Sequence, residues 1–340
     1  MLYNLKVIAG RIIHVAILHR RTERVIMNKR NKVIGGLLGL CIGDALGVPV
    51  EFESRDSLKI NPVTDMIGYR TYNQPPGTWS DDSALTLCLA DSLCNGLNIQ
   101  DIANKFVKWF YEGYWTPYGE VFDVGNTTRI AISHLKNGKN PIEAGPNDEF
   151  SNGNGSLMRI LPLAFYLEKR NIEQQFEITH QVSRLTHGHL RSQMACGIYI
   201  QVAINLLKGN TPETAYEKMK NTVSDYYSKQ PYVTEFHHFR RIMEYDISEL
   251  PEDAIKSSGY VIDTLEASLW CFLNNNSYKD SVLTAVNLGG DTDTVGAVTG
   301  GLAGIYYGYK GLPEKWISMI ARVEDIIKLG EKLYEAIYGI

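Results

Sequence analysis

Asn287-Leu288-Gly289-Gly290-Asp291-Thr292-Asp293-Thr294, running on into Val295-Gly296-Ala297-Val298-Thr299-Gly300-Gly301-Leu302-Ala303-Gly304-Ile305, is the stretch whose reading decides the fold of this chain. A glycine turn gives way to two acids and two hydroxyls, then to an apolar helix rich in glycine. Each glycine costs about 1 kcal/mol against alanine in a helix interior. Gly296, Gly300 and Gly304 fall at i, i+4 and i+8, on one helix face. Close approach of another helix backbone is the physical reason to accept that cost. The segment predicts a central helix whose N-terminal acids are rigidly held.

A second segment has the same build. Gly77-Thr78-Trp79-Ser80-Asp81-Asp82-Ser83 leads into Ala84-Leu85-Thr86-Leu87-Cys88-Leu89-Ala90, again a loop, acids and hydroxyls, then an apolar helix. Helix capping is the plain alternative, since Ser80 or Asp81 can accept from free amides and acid suits the first turn. One cap is worth about 1 kcal/mol, which accounts for one of the three polar residues. Short D-x-D spacing lets Asp291 and Asp293 converge on one ion. An EF-hand is disfavoured because its further ligands and terminal Glu are missing. Oxygen-only ligands point to Mg²⁺ or Mn²⁺ and away from zinc. Together Ser80, Asp81, Asp82, Asp291, Asp293 and Thr294 offer four carboxylates and two hydroxyls. Four like charges in one cleft repel, and two divalent cations about 3.5–4 Å apart would neutralise them, activate water and polarise a leaving oxygen.

Outward from these two segments the periodicity is helical throughout. Helices are expected over Lys32–Val50, Asp81–Asn95, Ile102–Tyr111, Asn126–Lys136, Leu157–Lys169, Ile172–Leu185, Leu190–Lys208, Thr211–Lys220, Thr234–Tyr245, Val261–Asn274, Tyr278–Asn287, Thr292–Tyr307, Pro313–Ile320 and Val323–Ile337. Gly, Pro, Asn and Asp cluster between them. With no long linker and no fixed-period repeat, the pattern predicts an all-α fold: one compact multi-helix domain over residues 31–340, preceded by a basic extension, 1–30.

The chain has 340 residues, 44% of them hydrophobic, and a net charge of −4. That balance gives no reason to expect nucleic-acid binding by the whole chain. A phosphate-bearing ligand would be held locally, by amides, a few side chains or metals. Residues 1–32 carry eight Lys/Arg against one acid, Glu23. Ile8–Leu18 is apolar but too short to span a bilayer, so no membrane partner is expected. The segment reads as a dispensable extension before Met27, as a basic arm for a partner, or as an amphipathic surface helix; the first is favoured. The cysteines Cys41, Cys88, Cys94, Cys196 and Cys271 form no C-x-x-C pair and read as buried free thiols of a reducing, cytoplasmic protein.

Other residues are weighed one by one. Glu51, seven residues after Asp44 near the end of the first helix, has a solvated helix terminus as its plain alternative to a site acid. Asn154-Gly155-Ser156-Leu157-Met158 reads as a tight turn, or as a loop before a helix whose free amides hold an anion. His187 and His189 each read as structural residues or caps. Tyr111, Tyr114, Trp115 and Tyr118 are expected to pack in the core or at a rim. Ser224–Pro251, rich in Tyr and His, is a candidate variable region.

Six motifs in order resemble the ADP-ribosylglycohydrolase family over about Ile34–Gly308: Gly43-Asp44-Ala45-Leu46-Gly47 with Glu51 downstream; Trp79-Ser80-Asp81-Asp82; Asp123-Val124-Gly125-Asn126-Thr127-Thr128; Asn152-Gly153-Asn154-Gly155-Ser156-Leu157-Met158-Arg159; Thr186-His187; and Gly289-Gly290-Asp291-Thr292-Asp293-Thr294. The resemblance implies an all-α fold and a binuclear Mg²⁺ or Mn²⁺ centre. Its ligands would be Ser80, Asp81, Asp82, Asp291, Asp293 and Thr294, with serine where the family more often has threonine. It implies that Glu51 lies beside the metals and that Asp123 lies near the ribose. Gly125, Asn154, Gly155, Ser156, Leu157, Met158 and His187 would contact ADP-ribose; His189 has no such warrant.

The resemblance implies hydrolysis of an N- or O-glycosidic bond between ADP-ribose and a modified protein, nucleic-acid base or small-molecule acceptor. Glu51 or a metal-shell aspartate, Asp291, would orient or deprotonate the attacking water, and Asp123 would act as acid near the ring oxygen or leaving group. Two alternatives come from other classes. One is a non-catalytic binding or structural relative, which the complete carboxylate set argues against. The other is an inhibitor or immunity protein acting through its basic N-terminal arm.

Overall fold

Every fourth residue in the apolar run after Lys32 is also a glycine: Gly35, Gly39, Gly43 and Gly47. In the computed structural model, which describes residues 29–339, these glycines lie in helix α1 (29–47). The expected extension lies outside the described residues, apart from 29 and 30, which begin α1. There follow α2 (Arg55–Ile60), α3 (Asp81–Leu93), α4 (Ile99–Glu112), α5 (Asn126–Lys136), α6 (Pro162–Leu167), α7 (Ile172–Ser183), α8 (Leu190–Leu207), α9 (Pro212–Tyr227), α10 (Val233–Phe236), α11 (Arg240–Met243), α12 (Val261–Leu273), α13 (Tyr278–Asn287), α14 (Thr292–Tyr307), α15 (Glu314–Met319) and α16 (Val323–Tyr338). No β-strand occurs among the described residues, only isolated bridges at Tyr69–Gln74 and Gly153–Tyr260. The fold is all-α.

The expected close approach is there, and its second half is α1. A Cβ added to Gly304 would lie 2.1 Å from the Gly35 carbonyl oxygen, one on Gly300 2.3 Å from that of Gly39, and one on Gly296 2.4 Å from that of Gly43. One turn further, a Cβ on Gly47 would lie 2.3 Å from the Asp293 backbone. Two glycine faces thus let α1 and α14 touch backbone to backbone. The pair is wrapped on all sides: α14 also packs against α3, α8, α12 and α13. Residues Lys29–Val50 have the length and apolarity of a membrane span, yet the apolar 18-residue window within them lies entirely buried inside this core. Outer helices bury only a stripe. In α4 it is Ile102, Ala103, Phe106 and Trp109; in α16 it is Ile326, Leu329, Gly330 and Leu333.

Several expected helices differ in extent; α4 begins at Ile99, three residues before the expected Ile102, where Asn98 caps it. Pro49 ends α1 at Gly47, and Val48–Val50 continue as a 3₁₀ turn. Leu157–Lys169 is not one helix: residues 155–159 form turns and α6 begins only at Pro162. Proline has no N–H to give and suits the first helical position, so the helix starts there. The helix expected over Thr211–Lys220 runs on to Tyr227 because its buried stripe continues through Val223 and Tyr227. Thr234–Tyr245 is split into α10, a 3₁₀ turn at His237–Phe239, and α11.

Candidate active site

The start of α14 is fixed by a three-way junction. Gly289 and Gly290 both have φ +74, which L side chains rarely adopt. Side chains there would collide: a Cβ on Gly290 would sit 2.4 Å from the Ser257 carbonyl oxygen, and one on Gly289 2.6 Å from the Arg55 nitrogen. The bare turn lets three segments bond. The Phe52 N–H donates to Gly290 O (2.7 Å), that of Gly290 to Glu53 O (2.9 Å) and that of Asp291 to Ser257 O (2.9 Å). Thr292 Oγ1 donates to Gly47 O at 2.8 Å, tying α14 to the end of α1. Glu51 is thereby brought beside Asp291 and Asp293. Each of the three offers an oxygen within 4.8 Å of the others.

The start of α3 is held by α1 as well. Ser80 caps α3, its hydroxyl oxygen accepting from the Asp82 N–H at 3.3 Å. Asp44, fully buried in α1, accepts from the backbone N–H of Ser80 (2.9 and 3.1 Å), from that of Ser83 (3.0 Å) and from the Ser83 hydroxyl (2.5 Å). One helix therefore places both acidic helix starts. They meet where Thr294 Oγ1 donates to Asp82 Oδ1 at 3.4 Å.

Together these groups line a cleft of about 290 Å³ with Asp123, Gly125, Asn154, Gly155, Met158 and His187 on its other walls. Of the expected metal-binding set, Asp81, Asp82, Asp291 and Thr294 line this space, Asp293 joins it through the trio with Glu51, and Ser80 lies beneath as the cap. Glu51 is only 5% exposed, so the alternative of a solvated helix end is wrong.

Four of the carboxylates each keep one oxygen without a partner. Glu51 Oε2, Asp82 Oδ2, Asp291 Oδ1 and Asp293 Oδ2 are buried with no hydrogen-bond partner. Burial, then the neighbouring acids, pushes Asp81, Asp82 and Asp293 well above the usual carboxylate range. Burial and then Asp123 push Glu51 up to about 9. Asp291 is raised by burial, against hydrogen bonds from Thr294 and Asn154. Unpaired buried carboxylates are costly, and unpartnered oxygens converging from opposite helices suit hard divalent cations. The residues present fit such ions.

The remaining walls carry donors. Asn154 Nδ2 donates to Asp291 Oδ2 and to Thr264 Oγ1, both at 2.9 Å, linking the Gly-rich loop to the acids. Among the described residues, the N–H groups of Gly155, Ser156 and Leu157 have no protein acceptor, while that of Met158 bonds Asn154 O at 3.0 Å. The side chains of Ser156 and Leu157 do not face the cleft: Ser156 Oγ accepts from Ser183 Oγ at 3.0 Å, and Leu157 is in the core. Only their amides remain candidates for ligand contact. Asp123 has φ +51 and accepts from Tyr72 Oη at 2.8 Å. His189 caps α8, accepting from the Arg191 N–H.

Sequence reading gave no role to Asp44, Tyr72, Phe52 or Gly259. Asp44 carried a usable signal, an acid inside an otherwise apolar helix. Phe52, 70% exposed with φ +68, stands at the cleft mouth. Tyr111, Tyr114, Trp115 and Tyr118 line none of the cleft; Tyr114 donates to Asp91 and the Trp115 carbonyl accepts from Trp79 Nε1.

An all-α domain that gathers the acids of two helix starts around one cleft defines an enzyme of the carboxylate-centred hydrolase type. The comparisons agree. The model of a family described as ADP-ribosylglycohydrolase matches residues 26–339, and the chain belongs to that family. It is 34% identical over 310 residues to an ADP-ribosylarginine hydrolase, Tri1, of Serratia proteamaculans, covering 89% of this chain and 79% of that protein. It is 28% identical over 296 residues to the ADP-ribosyl-[dinitrogen reductase] glycohydrolase of Rhodospirillum rubrum, covering 85% and 90%. A solved structure described as an ADP-ribosylglycohydrolase-related protein complex superposes with a TM-score of 0.77 at 30% identity, over 92% of this chain and all of that one.

Proposed function

We propose that this chain removes ADP-ribose from arginine side chains of modified proteins, with two divalent cations, Mg²⁺ or Mn²⁺, held by Asp81, Asp82, Asp291, Asp293 and the hydroxyls of Ser80 and Thr294. One observation carries the reading: four carboxylate oxygens from three separate segments are buried without partners at one cleft. The arginine linkage is supported by similarity to two relatives named ADP-ribosylarginine hydrolase, at 34% and 33% identity. An acidic cleft also suits a guanidinium.

Bound there, divalent cations supply charge neutralisation and Lewis-acid activation of water and sugar hydroxyls. The chain supplies the rest. Asn154 and the free amides of Gly155, Ser156 and Leu157 hold the diphosphate. With the neighbouring acids offset by cations Glu51 would be ionised, and its Oε2 accepts a proton from the water that attacks the anomeric carbon. As the new C–O bond forms, the C–N bond to the arginine guanidinium breaks, and the neutral guanidine that leaves takes up the proton Glu51 accepted. Asp123, held by Tyr72, stands at the ribose and leaving-group side.

The test is release of ADP-ribose from ADP-ribosylated arginine peptides, followed by chromatography beside serine-linked and O-acetyl-ADP-ribose substrates. Release from arginine with Mg²⁺ or Mn²⁺ is expected, with loss under chelator and in the Asp81→Asn, Asp293→Asn double variant. Undiminished turnover in metal-free protein would defeat the reading.

A further inference from the structure

Arg159 closes the Gly-rich motif, and nothing above gives it a role. It is fully buried, and among the described residues no carboxylate pairs with it. Its Nε and Nη1 have no hydrogen-bond partner. The face of Phe106 lies 4.6 Å from the guanidinium carbon, which offsets only part of the desolvation. Nη2 makes the side chain's bonds, donating to Val182 O at 3.1 Å and to Thr186 Oγ1 at 2.7 Å.

A guanidinium is only a donor, so Thr186 accepts there and keeps its own proton to give. Thr186 Oγ1 also lies 3.0 Å from His187 Nδ1. Among the described residues this buried hydroxyl has no other acceptor. If Nδ1 carried the ring proton, the hydroxyl proton would be stranded, at the cost of an unsatisfied buried donor. Thr186 therefore donates to Nδ1, and the ring proton sits on Nε2. The Nε2 edge faces the cleft loop: a Cβ on Gly153 would lie 3.5 Å from Nε2, and one on Gly155 2.7 Å from Cε1. Burial, with Arg159 behind the ring, holds the His187 pKa down to about 3, so the ring stays neutral.

We propose that Arg159, acting through Thr186, locks His187 in its Nε2–H form, so that the cleft wall presents a fixed hydrogen-bond donor to an anionic ligand oxygen. Arg159 and Thr186 are positioning residues. Naming that oxygen as one of the ADP-ribose diphosphate rests on the function proposed above. The geometry also gives Gly155 a reason: any side chain there would push the ring aside.

The test uses the full chain labelled with ¹⁵N-histidine and long-range ¹H–¹⁵N correlation without ligand. His187 should show a pyrrole-type Nε2 and a pyridine-type Nδ1. In Thr186→Val, both tautomers should appear, and calorimetry with Mg²⁺ should show ADP-ribose binding about twofold more weakly, the loss expected when the donor form falls to roughly half of the protein. Thr186→Ser should restore both properties. An Nδ1–H ring or an imidazolium in the wild type would overturn the proposal, as would an unchanged ADP-ribose affinity in Thr186→Val. Failure of ADP-ribose to bind the wild type would instead count against the proposed substrate, while the unliganded spectrum would still decide the relay.

Discussion

Replacing Gly300 by alanine sets two effects of opposite sign against each other. Helix propensity alone favours the change by about 1 kcal/mol. Against it, the new Cβ would lie 2.3 Å from the Gly39 carbonyl oxygen and 3.3 Å from the Tyr278 hydroxyl. An ordinary carbon–oxygen contact needs roughly 1 Å more, and both obstructions sit in a fully packed interior. The groove cannot yield by turning a side chain, because the nearest atom is backbone. The two helices must separate, and the seam loses contacts along its length. Overpacking of this kind costs about 1–3 kcal/mol, and forced backbone separation places it at the upper end. The net expectation is a loss of ~2 kcal/mol, or a fall in melting temperature of about 3 °C. Gly36→Ala is the control: its Cβ would meet only side-chain atoms, Ile305 Cγ1 and Phe165 Cζ, each at 3.0 Å, and it should cost less than about 1 kcal/mol. Urea unfolding of wild type, Gly300→Ala and Gly36→Ala reads the difference. A Gly300→Ala protein as stable as wild type would refute the claim that the seam is a backbone contact.

The acidic cleft predicts an unusual pH dependence. Glu51 rises from 4.5 to about 9, so between those values the folded chain holds a proton that the unfolded chain has released. Stability of the metal-free protein therefore falls as pH rises through that window. His180 and His187, both lowered by burial to about 3, act below 6.5 in the opposite sense. Calorimetry between about pH 6.5 and about pH 7.5 stays above the histidines and below Lys32, which is lowered to about 8 and opposes the trend, and a Glu266→Gln background removes a raised carboxylate outside the cleft: the melting temperature should drop, and Mn²⁺ should raise it more at the upper pH. A flat profile would count against convergence of the acids. Asp44→Ala strands three donors at the α3 start, each worth about 1–3 kcal/mol. It should destabilise the fold by ~3 kcal/mol in the same unfolding assay; a neutral result would remove Asp44 as the anchor of α3.

How much was legible in the sequence follows from how local each cause is. The spacing of Gly296, Gly300 and Gly304 foretold a close helix neighbour because the signal lies on one face of one helix. Which helix answers it was equally written, at Gly35, Gly39, Gly43 and Gly47, but matching two faces requires tertiary structure. The two acid-bearing helix starts were readable because cap, acid and apolar run are contiguous. For Glu51 a solvated helix end stayed open as the alternative; its burial depends on the Gly289–Gly290 junction, more than two hundred residues away. The single helix expected over Leu157–Lys169 failed because buried turns are as apolar as a buried helix. Pro162 was the available warning. Asp44 and Tyr72 bond to residues distant in the chain, Ser80 and Asp123, and nothing local marks those pairs.

Crystals of the protein grown with Mn²⁺ and measured near the manganese absorption edge put the account to its most direct trial. Two anomalous peaks are expected between the Asp81–Asp82 side and the Glu51–Asp291–Asp293 side of the cleft, each touched by acids from both. Manganese found only elsewhere on the molecule, or a cleft without anomalous density, would contradict it.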